Sequence, residues 1–199
     1  MISIKIKIFF VFFIMLMSFS LLYSAEGGEA YLGEGDIWKY KLSEEKINYF
    51  YNGIQFGSDY SYLLDKLRER MIKIDSSYIV IANQIDSFPV ETSYLLNSEG
   101  EFYMVSHFFK QFHYSSKYFI SDYNKLKKLI AEKYGSPQKD ENYYSNSFLI
   151  GNEEYAMDRG LLKKITVWII DDITIDMSLE KVQTSYILKI NYTCNLFKY

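Results

Sequence analysis

One cysteine, two histidines and two prolines in 199 residues leave several kinds of chemistry with little to work with. A lone thiol, Cys194, closes no intramolecular disulfide. The histidines, His107 and His113, stand in a stretch that reads as strand, where six residues at about 3.3 Å each put them roughly 20 Å apart. Ligands of one zinc each lie about 2 Å from the metal, so the pair shares no site unless the strand bends sharply. Both read as ordinary strand histidines; the competing reading makes either one a general base with a partner elsewhere in the chain. No Walker loop, zinc-ligand spacing, nucleophile elbow or paired-cysteine motif is present. Excess positive charge is missing too: the formal net charge is −3, and gripping phosphate backbones takes clustered Lys and Arg, so nucleic acid is set aside as a partner. No residue is therefore assigned a catalytic, cofactor-binding or metal-ligating role, and no cofactor is expected.

What is present begins with an address. Residues 1–24, "MISIKIKIFFVFFIMLMSFSLLYS", place Lys5 and Lys7 before an apolar run from Ile8 to Tyr23, with no acid before Glu26. A basic head, an apolar stretch and a small residue at the end form an export signal, with cleavage expected after Ser24. The run is shorter than the about 20 residues of a spanning helix, so an uncleaved anchor is the lesser alternative and the only link to a membrane. The expected location is periplasmic or extracellular, with membrane association if the segment is retained. Residues 25–36, "AEGGEAYLGEGD", read as a flexible tether, and residues 37–199 as a single α+β domain.

Two segments have helical periodicity. In "SDYSYLLDKLRERM" the residues Tyr60, Leu63, Leu64, Leu67 and Met71 form one apolar face, with Ser58 or Asp59 as cap. In "SDYNKLKKLIAEKYGSP" Tyr123, Leu126, Leu129, Ile130 and Tyr134 do the same, with Ser121 or Asp122 as cap. Gly135 and Pro137 then end the helix rather than build a ligand loop, and Lys133 suits its C-terminal dipole. Runs rich in Tyr, Phe, Ile and Val read as strands over 77–85, 92–97, 101–112, 142–150, 163–170, 173–180 and 185–194, with "NSEGE" as a hairpin turn. If Asp171-Asp172 is a two-residue turn, Ile170 faces Ile173, Trp168 faces Ile175 and Thr166 faces Met177. In the last strand Leu188, Ile190, Tyr192, Cys194 and Leu196 share a side, which buries the thiol as a small hydrophobe.

The expected fold is two amphipathic helices packed on a largely antiparallel β-sheet. Both helices open with "SDY", each is followed by strands, and Tyr60, Leu63 and Leu67 match Tyr123, Leu126 and Ile130 at a constant offset of 63, which points to a doubled helix-plus-strands unit. Outside the helices the halves share little identity.

Three local patterns also carry a resemblance. "FYNGIQFGSDYSYLLDKL" (50–67) resembles an F-x-G-x-x-F/W-G opening into a helix, "DYNKLKKLIAEKYGSP" (122–137) a K-Y-G-x-P helix end, and "VWIIDDITIDMSL" with "SYILKINY" a W…I-x-Y ending. Together these are similar to a broad set of uncharacterised bacterial exported proteins and lipoproteins. The resemblance implies an envelope location and an α+β fold and carries no activity; the chain differs from the lipoprotein members in having no cysteine to acylate.

The remaining patterns have bland readings. Asp171, Asp172 and Asp176 read as a solvated turn with Asp176 pointing outward from the sheet, not as a calcium loop. Asn191–Thr193 matches a glycosylation acceptor inside an expected strand. Aromatics make up 19% of the chain, including 20 tyrosines, and most should fill the core; "NYFYNG" (48–53) and "ENYYSNS" (141–147) are the candidate exposed clusters. Three functions follow in order: a non-enzymatic envelope module that binds a macromolecule or supports structure, a cell-wall or extracellular hydrolase using a carboxylate pair or His107 and His113, and an aromatic-surface module binding glycan or peptide. The expected partner is an envelope protein or a glycan.

Overall fold

Residues 37–43 and 46–199 are described by the structure, a computed structural model of the chain, with side chains from Tyr49 onward. The expected export signal (1–24) and tether (25–36) lie outside these residues. The described residues divide into two units, one ending at Gly53 and the other running from Ile54 to Tyr199. In the first, β1 (Ile37–Ser43) and β2 (Lys46–Tyr51) pair antiparallel, with Trp38 opposite Phe50 and Lys39 opposite Tyr49.

The second unit opens with β3 (Ile54–Gln55) and α1 (Tyr60–Leu67), followed by β4 (Met71–Asp75), β5 (Tyr78–Ile85), β6 (Phe88–Leu96) and β7 (Phe102–Phe109). Then α2 (Ser116–Tyr134) precedes β8 (Lys139–Tyr144), α3 (Glu153–Asp158), β9 (Leu162–Ile170), β10 (Ile173–Val182) and β11 (Ser185–Cys194). The last eight strands form one antiparallel sheet in the order β4-β5-β6-β7-β11-β10-β9-β8. The expected α+β architecture is thus present, and its duplication is plain in the topology. Each half is a helix followed by a four-stranded meander, and the halves join through their final strands, with Ser106 opposite Asn191 at the seam.

Local chemistry accounts for most boundaries. Asp59 caps α1 by accepting from the Tyr62 amide at 2.8 Å, and Leu63 and Leu67 are its buried face. Met71, expected on that helix, instead opens β4, because Arg68–Arg70 tighten into a 3-10 turn that ends the α-helical face. The second helix starts earlier than its periodicity implied: Ser115 is the cap, while Ser121 and Asp122 lie well inside it. Its end falls where expected, with Gly135 at φ 83° donating its amide to the Ala131 carbonyl at 2.9 Å.

The Asp171-Asp172 turn has the expected register, Ile170 to Ile173, Trp168 to Ile175 and Thr166 to Met177, and Asp171 takes the positive φ (51°) that a tight hairpin needs. The run expected as strand over 142–150 is strand only to Tyr144; Asn146 then bonds the Phe148 amide and turns Ser147–Leu149 into 3-10. Likewise 101–112 is strand only to Phe109.

The registers align one row of side chains across seven of the eight strands, from β4 to β9: Ile74, Ile79, Tyr94, Val105, Tyr192, Ile175 and Trp168. All but Ile74 are buried. The α2 helix covers this face at its Trp168 end, where the indole N–H donates to the Gly135 carbonyl at 3.0 Å. Cys194 is a free, buried thiol on the same face, and burial pushes its pKa up to about 11, which makes it inert at neutral pH.

Candidate functional site

The N-terminal end of α2 carries several exposed aromatic side chains. The loop entering the helix carries Phe112 and Tyr114, 79% and 94% exposed, with rings 5.2 Å apart at 85°, and Tyr118 follows on the first turn. The segment entering α3 carries Phe148, 94% exposed, and Ile150. The Ser116 hydroxyl donates to the Glu154 carbonyl at 3.1 Å, which fixes the start of α2 beside α3. A cavity of about 320 Å³ lies between them, lined by Ile120, Gly151, Asn152, Glu153 and Glu154.

Paired groups stiffen this end. His113 and Asp122 share a hydrogen bond of 2.6 Å, and the His113 ring sits edge-on to Phe119. Phe119 stacks on Tyr186, centroids 4.5 Å apart, and the Tyr186 hydroxyl donates to Asp158 at 2.5 Å. Burial and the neighbouring Asp158 carboxylate push the Tyr186 phenol up to about 12.

Behind the cavity lies a polar network that ties helices to sheet. Thr166 donates to Asp140 at 2.8 Å, and Lys127 donates to the other Asp140 oxygen at 2.9 Å. Thr166 has one hydroxyl proton and gives it to the carboxylate, so the Tyr123 phenol, 2.5 Å away, is the donor to Thr166. Burial works to raise the Asp140 pKa, but the bonds from Lys127 and Thr166 outweigh it and hold the carboxyl below its ordinary value. Burial drives the Tyr123 phenol well above its usual range. Lys164, buried beside the Tyr123 ring, pairs with Glu153 at 2.7 Å, and Asn142 donates to the other Glu153 oxygen. Acid, base and hydroxyl are all committed to one another, an arrangement that fixes α2 and α3 on β8 and β9. Tyr123→Phe removes one of these bonds and leaves Thr166 on Asp140; the expected cost is about 1 kcal/mol in urea unfolding.

The sequence-level candidates land elsewhere. His107 is a strand histidine in β7, fully buried, 2.8 Å from the Thr92 hydroxyl and edge-on to Tyr192. His113 is not on the strand: the last ladder-like bond there runs from the Lys110 amide to Pro89, and the chain turns away before His113. The two histidines make no common site. Asp171 and Asp172 form the turn, but Asp176 is half-buried on the sheet face turned away from α2, and burial raises its carboxyl despite a 2.9 Å bond from Asn191. Asn191, the glycosylation candidate, is held between Ser106 and Asp176 in the centre of the sheet. Tyr49 and Tyr51 of the "NYFYNG" segment are buried, and of the "ENYYSNS" tyrosines only Tyr143 is exposed, bonded to Glu141.

The exposed aromatics Phe112, Tyr114, Tyr118 and Phe148 were missed as a group. A usable signal was there in "FKQFHYSS", where aromatic residues continue past the strand among Lys, Gln and His and run into two serines, one of them the helix cap. Among the described residues no three His, Cys, Asp or Glu side chains gather as a metal site, and no helix is long and apolar enough to cross a membrane. The chain matches no family model, no curated protein and no solved structure.

Proposed function

We propose that this protein is a non-enzymatic binding module of the bacterial envelope, exported through its N-terminal segment, and that it engages a protein partner through the aromatic ridge at the start of α2. The observation that carries the reading is the exposed pair Phe112 and Tyr114 on the loop entering α2, with exposed Phe148 and Ile150 on the segment entering α3, whose start Ser116 bonds to α2. Soluble surfaces rarely gather large apolar groups this way without a partner, and Tyr and Phe are enriched at the centres of protein interfaces. Export rests on the basic-then-apolar character of residues 1–24 and the resemblance to exported bacterial proteins on the three motifs above.

The hydrolase alternative draws less support, because His107, one of the two histidines it relies on, is sealed in the core and the two histidines make no common site. A glycan platform draws less as well. Rings set at 85° make a ridge rather than a flat surface, which suits insertion between side chains better than stacking a sugar.

Photo-crosslinking amino acids placed at Tyr114 and Phe148 in producing cells test the proposal, with Leu129 on the far part of α2 as the control. Discrete protein adducts are expected from the first two positions and not from the third, and Phe112→Ser should remove the Tyr114 adduct. Absence of adducts at both ridge positions, or the same adducts from Leu129, would count decisively against it.

A further inference from the structure

The buried row that crosses the sheet ends unfinished. Ile74 stands directly beside fully buried Ile79 on the same face, yet it is 48% exposed, and Ile72 is 57% exposed. Both belong to β4, an edge strand, whose outer backbone groups face no other strand of the sheet among the described residues. Exposed edges carrying apolar side chains are templates for pairing, and proteins usually guard them with charge. The opposite edge is guarded in this way: β8 presents Lys139, Asp140 and Glu141, with ion pairs Lys139–Glu141 and Lys127–Asp140. The β4 edge is not.

We infer that β4 is a self-pairing edge, and that its occupant is the β4 strand of a second copy of this chain. The alternating sequence Lys73-Ile74-Asp75 is self-complementary in antiparallel register. A two-fold axis perpendicular to the sheet keeps each face on its own side, so residues opposite each other must share a face, and the axis passes through one residue and its copy. With the axis at Ile74, the two Ile74 side chains meet and continue the apolar row. On the other face, each Lys73 then lies opposite the partner's Asp75. An axis at Lys73 sets two ammonium groups against each other, one at Asp75 sets two carboxylates against each other, and one at Ile72 falls in the bulge between Met71 and Lys73. Only the Ile74 register satisfies both faces. It joins the sheets of two copies into one continuous sheet.

A five-residue edge is small beside the roughly 1,200 Å² of a standard interface, so the dimer is expected to depend on concentration. Sedimentation of the purified full chain over about a hundred-fold concentration range should show a monomer–dimer equilibrium. Lys73→Asp and Asp75→Lys should each weaken it at least about ten-fold, since each sets like charges opposite one another. Mixing the two variants should restore dimers, and so should the double exchange in one chain; circular dichroism of each variant separates lost pairing from lost folding. A wild-type chain that stays monomeric throughout, or folded single variants that associate as it does, would overturn the assignment. Failure here leaves the ridge at the start of α2 untouched, because the two surfaces share no residue.

Discussion

Trp168→Ala is expected to lower the unfolding free energy by about 3–5 kcal/mol, the range for emptying a buried aromatic position. Trp168 is fully buried, ends the cross-sheet row opposite Ile175, and holds the C-terminal end of α2 through its bond to the Gly135 carbonyl. Alanine opens a cavity where β9 meets the helix and frees that helix end at once. In a chain of this size each kcal/mol moves the midpoint by about 2–4 °C, so the transition should fall by roughly 6–20 °C. Trp168→Phe separates the contributions: it keeps most of the ring and loses the N–H donor to an exposed carbonyl, for an expected cost of about 1–2 kcal/mol. An alanine variant melting within a degree or two of the parent would show that this junction does not hold the layers together.

Acid should destabilise the protein through His107. Burial lowers its folded-state pKa to about 3, against an ordinary 6.5 in the unfolded chain. Above pH 6.5 neither state binds the proton and the stability is complete. Below it the unfolded chain takes up a proton that the folded one refuses, and stability declines by about 1.4 kcal/mol per pH unit until roughly pH 3. At pH 4.5 this group alone should remove about 3 kcal/mol relative to pH 7.5. His107→Phe fits an apolar ring beside Tyr192 and leaves Thr92 only the 3.4 Å bond from Asn83, so it should start less stable at neutral pH. Its decline between pH 7.5 and 4.5 should nonetheless be shallower than the parent's by that amount. Urea titrations of both proteins at several pH values give the comparison, and parallel slopes would rule out His107 as the acid-sensitive group.

The parts of the fold that could be read from sequence were those in which one periodicity runs uninterrupted between turn signals. The register of the β9–β10 hairpin was predicted to the residue because alternation on both sides of Asp171-Asp172 demands a single pairing, although the strands reach Leu162 and Val182 rather than 163 and 180, and β11 was bounded correctly for the same reason. β4 was obscured because Met71 falls at a helical spacing from Leu67, and only the 3-10 turn at Arg68–Arg70 breaks the face. The start of α2 was hidden by a decoy: "SD" at 121–122 looks like a cap, while Asp122 is in fact held by His113. The short α3 has too few residues for a period, and β1 and β2 received no strand assignment of their own. The ridge at α2 was illegible for another reason. Exposure of an aromatic depends on where neighbouring loops stop, and the segments that carry Phe112 and Phe148 lead into two helices joined by the Ser116–Glu154 bond.

The seam between the halves sets the order in which the molecule can be completed. β7 is made early, yet its permanent neighbour is β11, the last strand of the sheet in chain order, some 80 residues later. Until β11 is in place the chain displays the β7 edge, with the Val105 and His107 positions open on the side that Tyr192 and Ile190 come to cover. This interval is the natural window for a chaperone, or for aggregation. A premature stop ahead of β11 would not trim the sheet at its margin but split it down the middle.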